Sequence, residues 1–390
     1  MNPLSVRCLR ASPDYELVLF DRLTEHERSV LAELRREPDF YGILRPRHDG
    51  GASHLPVRAV DRETALLILT LREPGPLPSY ALERDPSARG IAQLVLDRVL
   101  EVQEGAEFVS GPAATRLVRT AEKTGASGRL AQISLDAISA AVALDADDRE
   151  TLARWLYAYN RLPFSASHSR RYPDASAILA LVGDDGTLRV REWAVTGGHG
   201  GDWISLSRRS GYRPAGRSRP PDGPTYKLYV SPGMDALPDA CRALRETLER
   251  HRVRHFKLAG SAAGLLRPDK LVAYFDDAPA LAAVAEALRE RLRGASAQGV
   301  PFTASIDPDG LLSWGVDPPP RERPLSWLPQ QSWRGWVTST LAGGLVHARR
   351  EPGAPGAARF ALTRLALEGV DVERWMPEQR LWHDARAGVA

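Results

Sequence analysis

The chain has 390 residues, 43% hydrophobic and 26% charged, with a formal net charge of +3. That length exceeds the ~250–300 residues one core usually supports, so two or three domains of ordinary soluble composition are expected. No apolar run nears the ~20 residues of a membrane span, no signal-peptide stretch opens the chain, and so small a net charge gives no bulk attraction for nucleic acid.

Taken in chain order, residues 1–125 read as a winged-helix-like domain, a candidate holder of a leader peptide. Thr24 and Glu27 form a capping-box signature, with Leu23, Val30, Leu31 and Leu34 as the apolar stripe behind it. Asp61 is placed to cap a second helix bearing Ala65, Leu66 and Leu69, and a third apolar helix runs from Ile91 to Leu96. VLEVQEGAEFVS then predicts two strands joined at Glu104-Gly105. Helices followed by a hairpin wing also suit a DNA reader, but DRETALLILTL offers few basic residues to a groove, so nucleic acid is not an expected partner.

Residues 126–330 predict an α+β domain. Helical spacing covers 128–160, with Leu130, Ile133, Leu135, Ile138, Leu152, Leu156 and Tyr157 apolar. From Ile178 the period becomes two, so AILALVG and TLRVREWAV predict a hairpin about a DDG turn. The Gly-, Arg-, Pro- and Ser-rich residues 197–224 predict a long loop. Beyond it, TYKLYV, RHFKLAG, KLVAYF, PFTASI and LLSWGV read as strands. One helix (Leu237, Ala240, Cys241, Leu244, Leu248) separates the first two, and a second (Leu281, Val284, Ala285, Leu288, Leu292) follows the third. The two halves look duplicated, since Lys227-Leu228 aligns with Lys270-Leu271 and Ala243-Leu244-Arg245-Glu246 with Ala287-Leu288-Arg289-Glu290. Residues 331–390 complete the expected α+β chain as a helical segment packed on that domain.

Only four of the 52 basic residues are lysines: Lys123, Lys227, Lys257 and Lys270. Arginine is effectively always charged, whereas a buried lysine loses its proton readily and serves as a base. Alternate strand residues share a face, which pairs Lys227 with Tyr229 and His255 with Lys257; Arg267, Lys270 and Tyr274 follow. Such a set suits elimination of a phosphate, in which a base takes the proton beside a carbonyl and cations hold the departing dianion. Glycosidase carboxylate pairs and the nucleophile elbow are missing, GGHGG lacks a P-loop ending, and His168, His199, His251, His255 and His347 have no metal-ligand spacing. Cys8 and Cys241 are too few for a disulfide framework or a cysteine zinc site. No cofactor is expected.

The runs YKLYVSP, FKLAG, RPDKLVAYF and PFTASIDPDGLLSWG resemble the phosphothreonine lyases and lanthipeptide lyase modules, most of all the HopA-type effectors and class V lanthipeptide lyases, over residues 225–316. The resemblance implies a lyase-like fold that turns phosphoserine or phosphothreonine into dehydroalanine or dehydrobutyrine. By position it implies Lys257 as general base, Lys227 as a phosphate or carbonyl contact, Arg267 as a phosphate ligand and Tyr274 as a lining residue. The sequence departs from the pattern at Tyr229, where many such enzymes have an acid histidine, and LLSWGVDPP lacks a later arginine. His255 joins the catalytic candidates, and Lys270, Arg208, Arg209 and Arg213 are further phosphate-binding candidates. Expected partners are a phosphorylated precursor peptide and a separate Ser/Thr kinase, in the cytoplasm and without a membrane. The alternative is a non-catalytic phosphopeptide-binding scaffold of a biosynthetic or effector complex.

Overall fold

The computed structural model describes residues 4, 7–47, 55–118, 128–144, 146–183, 193–197, 203–208, 225–318, 330–349 and 356–378. Helices and antiparallel sheets are mixed throughout, and the chain divides into two units. Among the described residues no helix is long and apolar enough to cross a membrane.

The first unit comprises residues 1–122, 321–330 and 343–368. Its elements are β1 (Cys8–Ala11), β2 (Tyr15–Leu19), α1 (Glu25–Val30), β3 (Phe40–Pro46), β4 (Arg58–Asp61), α2 (Arg62–Thr70), β5 (Gly75–Pro76), α3 (Ser79–Arg84), α4 (Arg89–Leu96), β6 (Leu100–Glu104) and β7 (Glu107–Val109). The capping box closes α1, with the Thr24 N–H donating to Glu27 Oε2 at 2.8 Å and the Glu27 N–H to Thr24 Oγ1 at 3.2 Å. Asp61 accepts from the Thr64 N–H at 2.7 Å and caps α2. β6 and β7 form a hairpin whose turn is Gly105-Ala106, one residue later than read, because Gly105 takes the left-handed conformation (φ +65°).

A winged-helix outline is nevertheless incomplete for this unit. Strands β1 and β5 extend the β6–β7 hairpin into a sheet ordered β5-β1-β6-β7, β2-β3-β4 form another, and α1 stops after six residues with Val30 exposed. The sequence hides these strands because they are short and because β3 buries Gly42, Ile43 and Leu44 in succession, without alternation.

The second unit comprises residues 123–320, 331–342 and 369–390. Its helices α5 (Arg129–Ala143), α6 (Arg149–Ala158), α7 (Ala166–Arg171) and α8 (Ala175–Leu179) precede β8 (Trp193–Gly197) and β9 (Trp203–Arg208). Then follow β10 (Tyr226–Val230), α9 (Leu237–Arg250), β11 (His255–Ala259), α10 (Ala262–Leu265), β12 (Leu271–Phe275), α11 (Ala278–Arg291), β13 (Ala304–Ser305) and β14 (Leu312–Val316). All pairings in its seven-stranded sheet, ordered β13-β14-β10-β12-β11-β9-β8, are antiparallel. The β10-α9-β11 and β12-α11-β14 halves interleave as a split β-α-β arrangement, as the duplicated sequence suggests. Both helices lie against one sheet face, on Leu228, Val230, Phe256, Leu258, Leu271, Ala273 and Phe275. Arg291 of α11 pairs with Glu246 of α9.

Two elements in this region differ from the sequence pattern. AILALVG forms α8 and a 3₁₀ turn rather than a strand, because Asp174 caps it at the Ala177 N–H (2.9 Å) and Ile178, Leu179 and Val182 bury one side. The DDG turn and residues 187–192 lie outside the described residues; Trp193–Gly197 instead pairs with β9. β9 itself sits inside the expected loop, held by the alternating buried Ile204 and Leu206.

The C-terminal helices α12 (Trp333–Arg349) and α13 (Ala357–Leu367) do not all pack on the second unit as expected. α13 belongs to the first, where Phe360 and Leu367 join the core of Leu9, Val95 and Leu100 and where Arg364 pairs with Asp97. The small antiparallel pair β15 (Val370–Asp371) and β16 (Met376–Pro377) returns to the second. There the ring of Trp333 lies directly on Gly315 of β14, and a Cβ at Gly315 would stand 2.6 Å from Trp333 Cδ1. Gly315→Ala is expected to cost about 1–3 kcal/mol by overpacking. An unchanged thermal midpoint by circular dichroism would show that Trp333 yields freely.

Candidate functional site

The sheet face opposite α9 and α11 gathers most of the chemistry. Register places Lys227 beside Tyr274, Tyr229 beside Val272, His255 beside Tyr274 and Lys257 beside Val272 and Ser205. Because side chains alternate along a strand, Lys227, Tyr229, His255, Lys257 and Tyr274 all project from this one face. Tyr274 is the centre of the group. Lys227 Nζ and Lys257 Nζ each lie 5.4 Å from its ring centroid, and the His255 imidazole stacks on it at 4.8 Å.

The two lysines are in different states. Lys227 Nζ pairs with Asp317 Oδ2 at 2.6 Å, and Asp317 Oδ1 also accepts from the Trp333 N–H at 2.9 Å. Lys257 has no ion pair among the described residues. Burial lowers its pKa below the usual lysine value, and the nearby charge of Lys227 lowers it further, partly opposed by Asp317. Burial, then the charge of Lys257, also lowers the pKa of His255, which favours the neutral imidazole and leaves little imidazolium to act as an acid. Tyr229 is deeply buried; that burial holds its pKa well above 10, so it retains its proton and can donate a hydrogen bond. Tyr274 is shifted upward for the same reason.

A second group lies beside these residues, organised by Asp269. This carboxylate is 2% exposed and accepts from Arg267 Nε at 2.9 Å and Nη2 at 3.0 Å, Arg334 Nη1 at 2.8 Å and Tyr157 OH at 3.0 Å. Burial alone would raise its pKa, but Arg334 and Arg267 reverse the effect and keep it ionised. Arg334, fully buried, also donates from Nε to Pro301 O at 3.2 Å and from Nη2 to Tyr157 O at 2.7 Å. The Arg267 guanidinium lies 4.8 Å over the Trp203 ring, and Trp203 pairs with Ala259 on the same face as Lys257.

Not every candidate from the sequence joins this group. Lys270 is completely buried and donates to Pro232 O at 2.7 Å and to Gln298 Oε1. Burial lowers its pKa to about 7, yet its ammonium is spent on tying two loops together rather than on a ligand. Arg208 lies on the helix-covered face, donating to Glu249 O at 2.9 Å, because β9 alternates and Arg208 shares parity with Ile204 and Leu206. Arg209 and Arg213 lie outside the described residues. Sequence reasoning missed Asp269, Asp317, Tyr157 and Arg334. Tyr157 has the place of an apolar helix residue in the sequence pattern and Arg334 falls in the C-terminal helical segment; Asp269 lies in the RPD run preceding Lys270.

No family model matches this sequence, and no curated protein does. Among solved structures, the chain is similar to effector proteins from Pseudomonas syringae pv. tomato strain DC3000 and pv. syringae strain 61. Each is 14% identical with a TM-score of 0.38, over 64% of this chain and 98% and 99% of theirs, respectively. A phosphothreonine lyase structure is also similar, at 15% identity and a TM-score of 0.26, over 47% of this chain and 85% of its own. Likenesses this distant say nothing of the chemistry of this chain.

Removing the charge of Asp269 takes the carboxylate partner from the fully buried Arg334 and from the partly exposed Arg267. Asp269→Ala is therefore expected to destabilise the second unit by about 3–5 kcal/mol. Urea unfolding followed by tryptophan fluorescence measures this, and a loss under ~1 kcal/mol would place the pair in effectively aqueous surroundings.

Proposed function

We propose that the second unit eliminates phosphate from phosphoserine or phosphothreonine in a peptide. The observation that carries this reading is Lys257, a half-buried lysine without a carboxylate partner among the described residues, its pKa lowered, on the same face as Lys227, Tyr229 and Tyr274. With Lys257 neutral, three cations (Lys227, Arg267, Arg334) still outnumber the two carboxylates there, Asp269 and Asp317. The excess suits a phosphate dianion.

The neutral amine of Lys257 takes the proton from Cα. That electron pair forms the Cα–Cβ double bond, and the Cβ–O bond breaks toward phosphate. The bridging oxygen receives a proton from Tyr229 or Lys227. The products are a dehydroamino acid and inorganic phosphate, with the cations stabilising charge on the leaving group. In this reading the first unit, with its helices and hairpin wing, holds the leader of the precursor peptide, and a separate Ser/Thr kinase supplies the phosphate. The dehydrobutyrine and dehydroalanine products are those of peptide tailoring.

One observation favours a second reading, a scaffold that binds a phosphopeptide without turnover. Arg267 and Arg334 both spend hydrogen bonds on Asp269, and Tyr229 is deeply buried. Intact mass of a phosphothreonine peptide incubated with the protein separates the two. Loss of phosphoric acid that disappears in Lys257→Met, with peptide binding retained, is the outcome expected of the lyase. Unchanged mass with wild-type protein and tight binding would leave the scaffold.

The rate of elimination is expected to rise with pH as Lys257 loses its proton, at a midpoint below the ordinary lysine pKa of ~10.4. Lys227→Met removes a charge that lowers that pKa and leaves Asp317 unpaired, so the midpoint should move to higher pH. A pH–rate profile with the same midpoint in both proteins would remove Lys257 from the base role.

A further inference from the structure

A separate cleft of about 280 Å³ opens beside Arg267, lined by Arg161, Ala263, Gly264, Tyr157 and Asp269 among others. At just below the ~300–1,000 Å³ of a whole small-molecule site, it has room for one side chain together with several waters. Its charge is one-sided. Arg161 is exposed, gives one N–H to Ala263 O at 2.9 Å, and has no ion pair among the described residues. The one carboxylate in the wall, Asp269, already accepts from Arg267, Arg334 and Tyr157. An entering anion meets two guanidiniums and a carboxylate whose charge is already compensated.

The cleft also lies along the catalytic face. Arg267 covers Trp203, which pairs with Ala259, the next same-face position of β11 after Lys257. Two residues along a strand span ~7 Å, so an extended peptide with one side chain over Lys257 carries a neighbouring side chain to this cleft.

We infer that this cleft seats an acidic side chain of the substrate peptide close to the phosphorylated residue, with Arg161 and Arg267 as its partners. The inference rests on the placement of the phosphorylated residue over Lys257. It makes the substrate an acidic phosphopeptide, and Arg161 a specificity-determining residue outside the chemistry.

The test uses the whole 390-residue chain and short fluorescein-labelled phosphothreonine peptides of Gly/Ala background, with Asp, Asn or Lys at each flanking position in turn. Binding is read by anisotropy and elimination by mass on the same samples. At one flanking position the Asp peptide is expected to bind roughly two- to fivefold tighter than its Asn twin, the range of an accessible ion pair. Arg161→Gln should erase that difference. Arg161→Glu should shift the preference to the Lys peptide, a reversal that a merely unfolded variant cannot produce. Equal affinity for Asp and Asn peptides at every position would overturn the inference, whether or not phosphate is lost. An Arg161-dependent Asp preference without mass loss would uphold the cleft and remove the lyase reading.

Discussion

The carboxylate of Asp269 is the interaction on which the rest of the candidate site depends. It lies in the interior with two guanidiniums and a phenol directed at it, and each of those groups comes from a different part of the chain. Isolated burial of any of these charges would cost several kcal/mol, and together they are tolerable only because they compensate one another. The arrangement fixes Arg334 at the start of α12 and Tyr157 at the end of α6. It also turns Arg267 across Trp203 toward the open face. Electrostatic order is thus set before any ligand arrives.

The sheet divides its labour between two faces. On one, α9 and α11 cover an apolar surface that supplies the driving force for folding. On the other, the same strands present lysines, tyrosines and a histidine, and that face is free to be polar because the opposite one carries the core. Lys270 illustrates the rule. It belongs to the same motif as Lys227 by sequence, yet it sits at the strand end, where Pro232 and Gln298 claim its hydrogens. Gln298 in turn donates to Asn160 O and Leu266 O, so one buried ammonium anchors several loops next to the site.

Lys227 and Lys257 show how neighbours separate two chemically identical groups. Asp317 engages Lys227, while Lys257 is left with an aromatic ring and the repulsion of its neighbour. The contrast between a fixed cation and a readily deprotonated amine gives the face its chemical asymmetry. It arises from a residue just past the end of β14, which no strand pattern would single out.

Sequence alone determined the elements whose information is local. The capping box at Thr24, the cap at Asp61 and the β6–β7 hairpin follow from a few adjacent residues, as do the amphipathic helices α9 and α11. So do the shared faces of Lys227 with Tyr229 and of His255 with Lys257, since alternation is a property of any strand. The tertiary structure decided what depends on partners distant in the chain. It set the strand order that brings β10, β12 and β11 together, and it assigned α13 to the first unit. It turned AILALVG into helix, and it separated Arg208 and Lys270 from the site. Asp269, Arg334 and Tyr157 were illegible because each looks ordinary in its own segment. Their meaning arises only when long-range packing removes water and obliges buried charges to find one another.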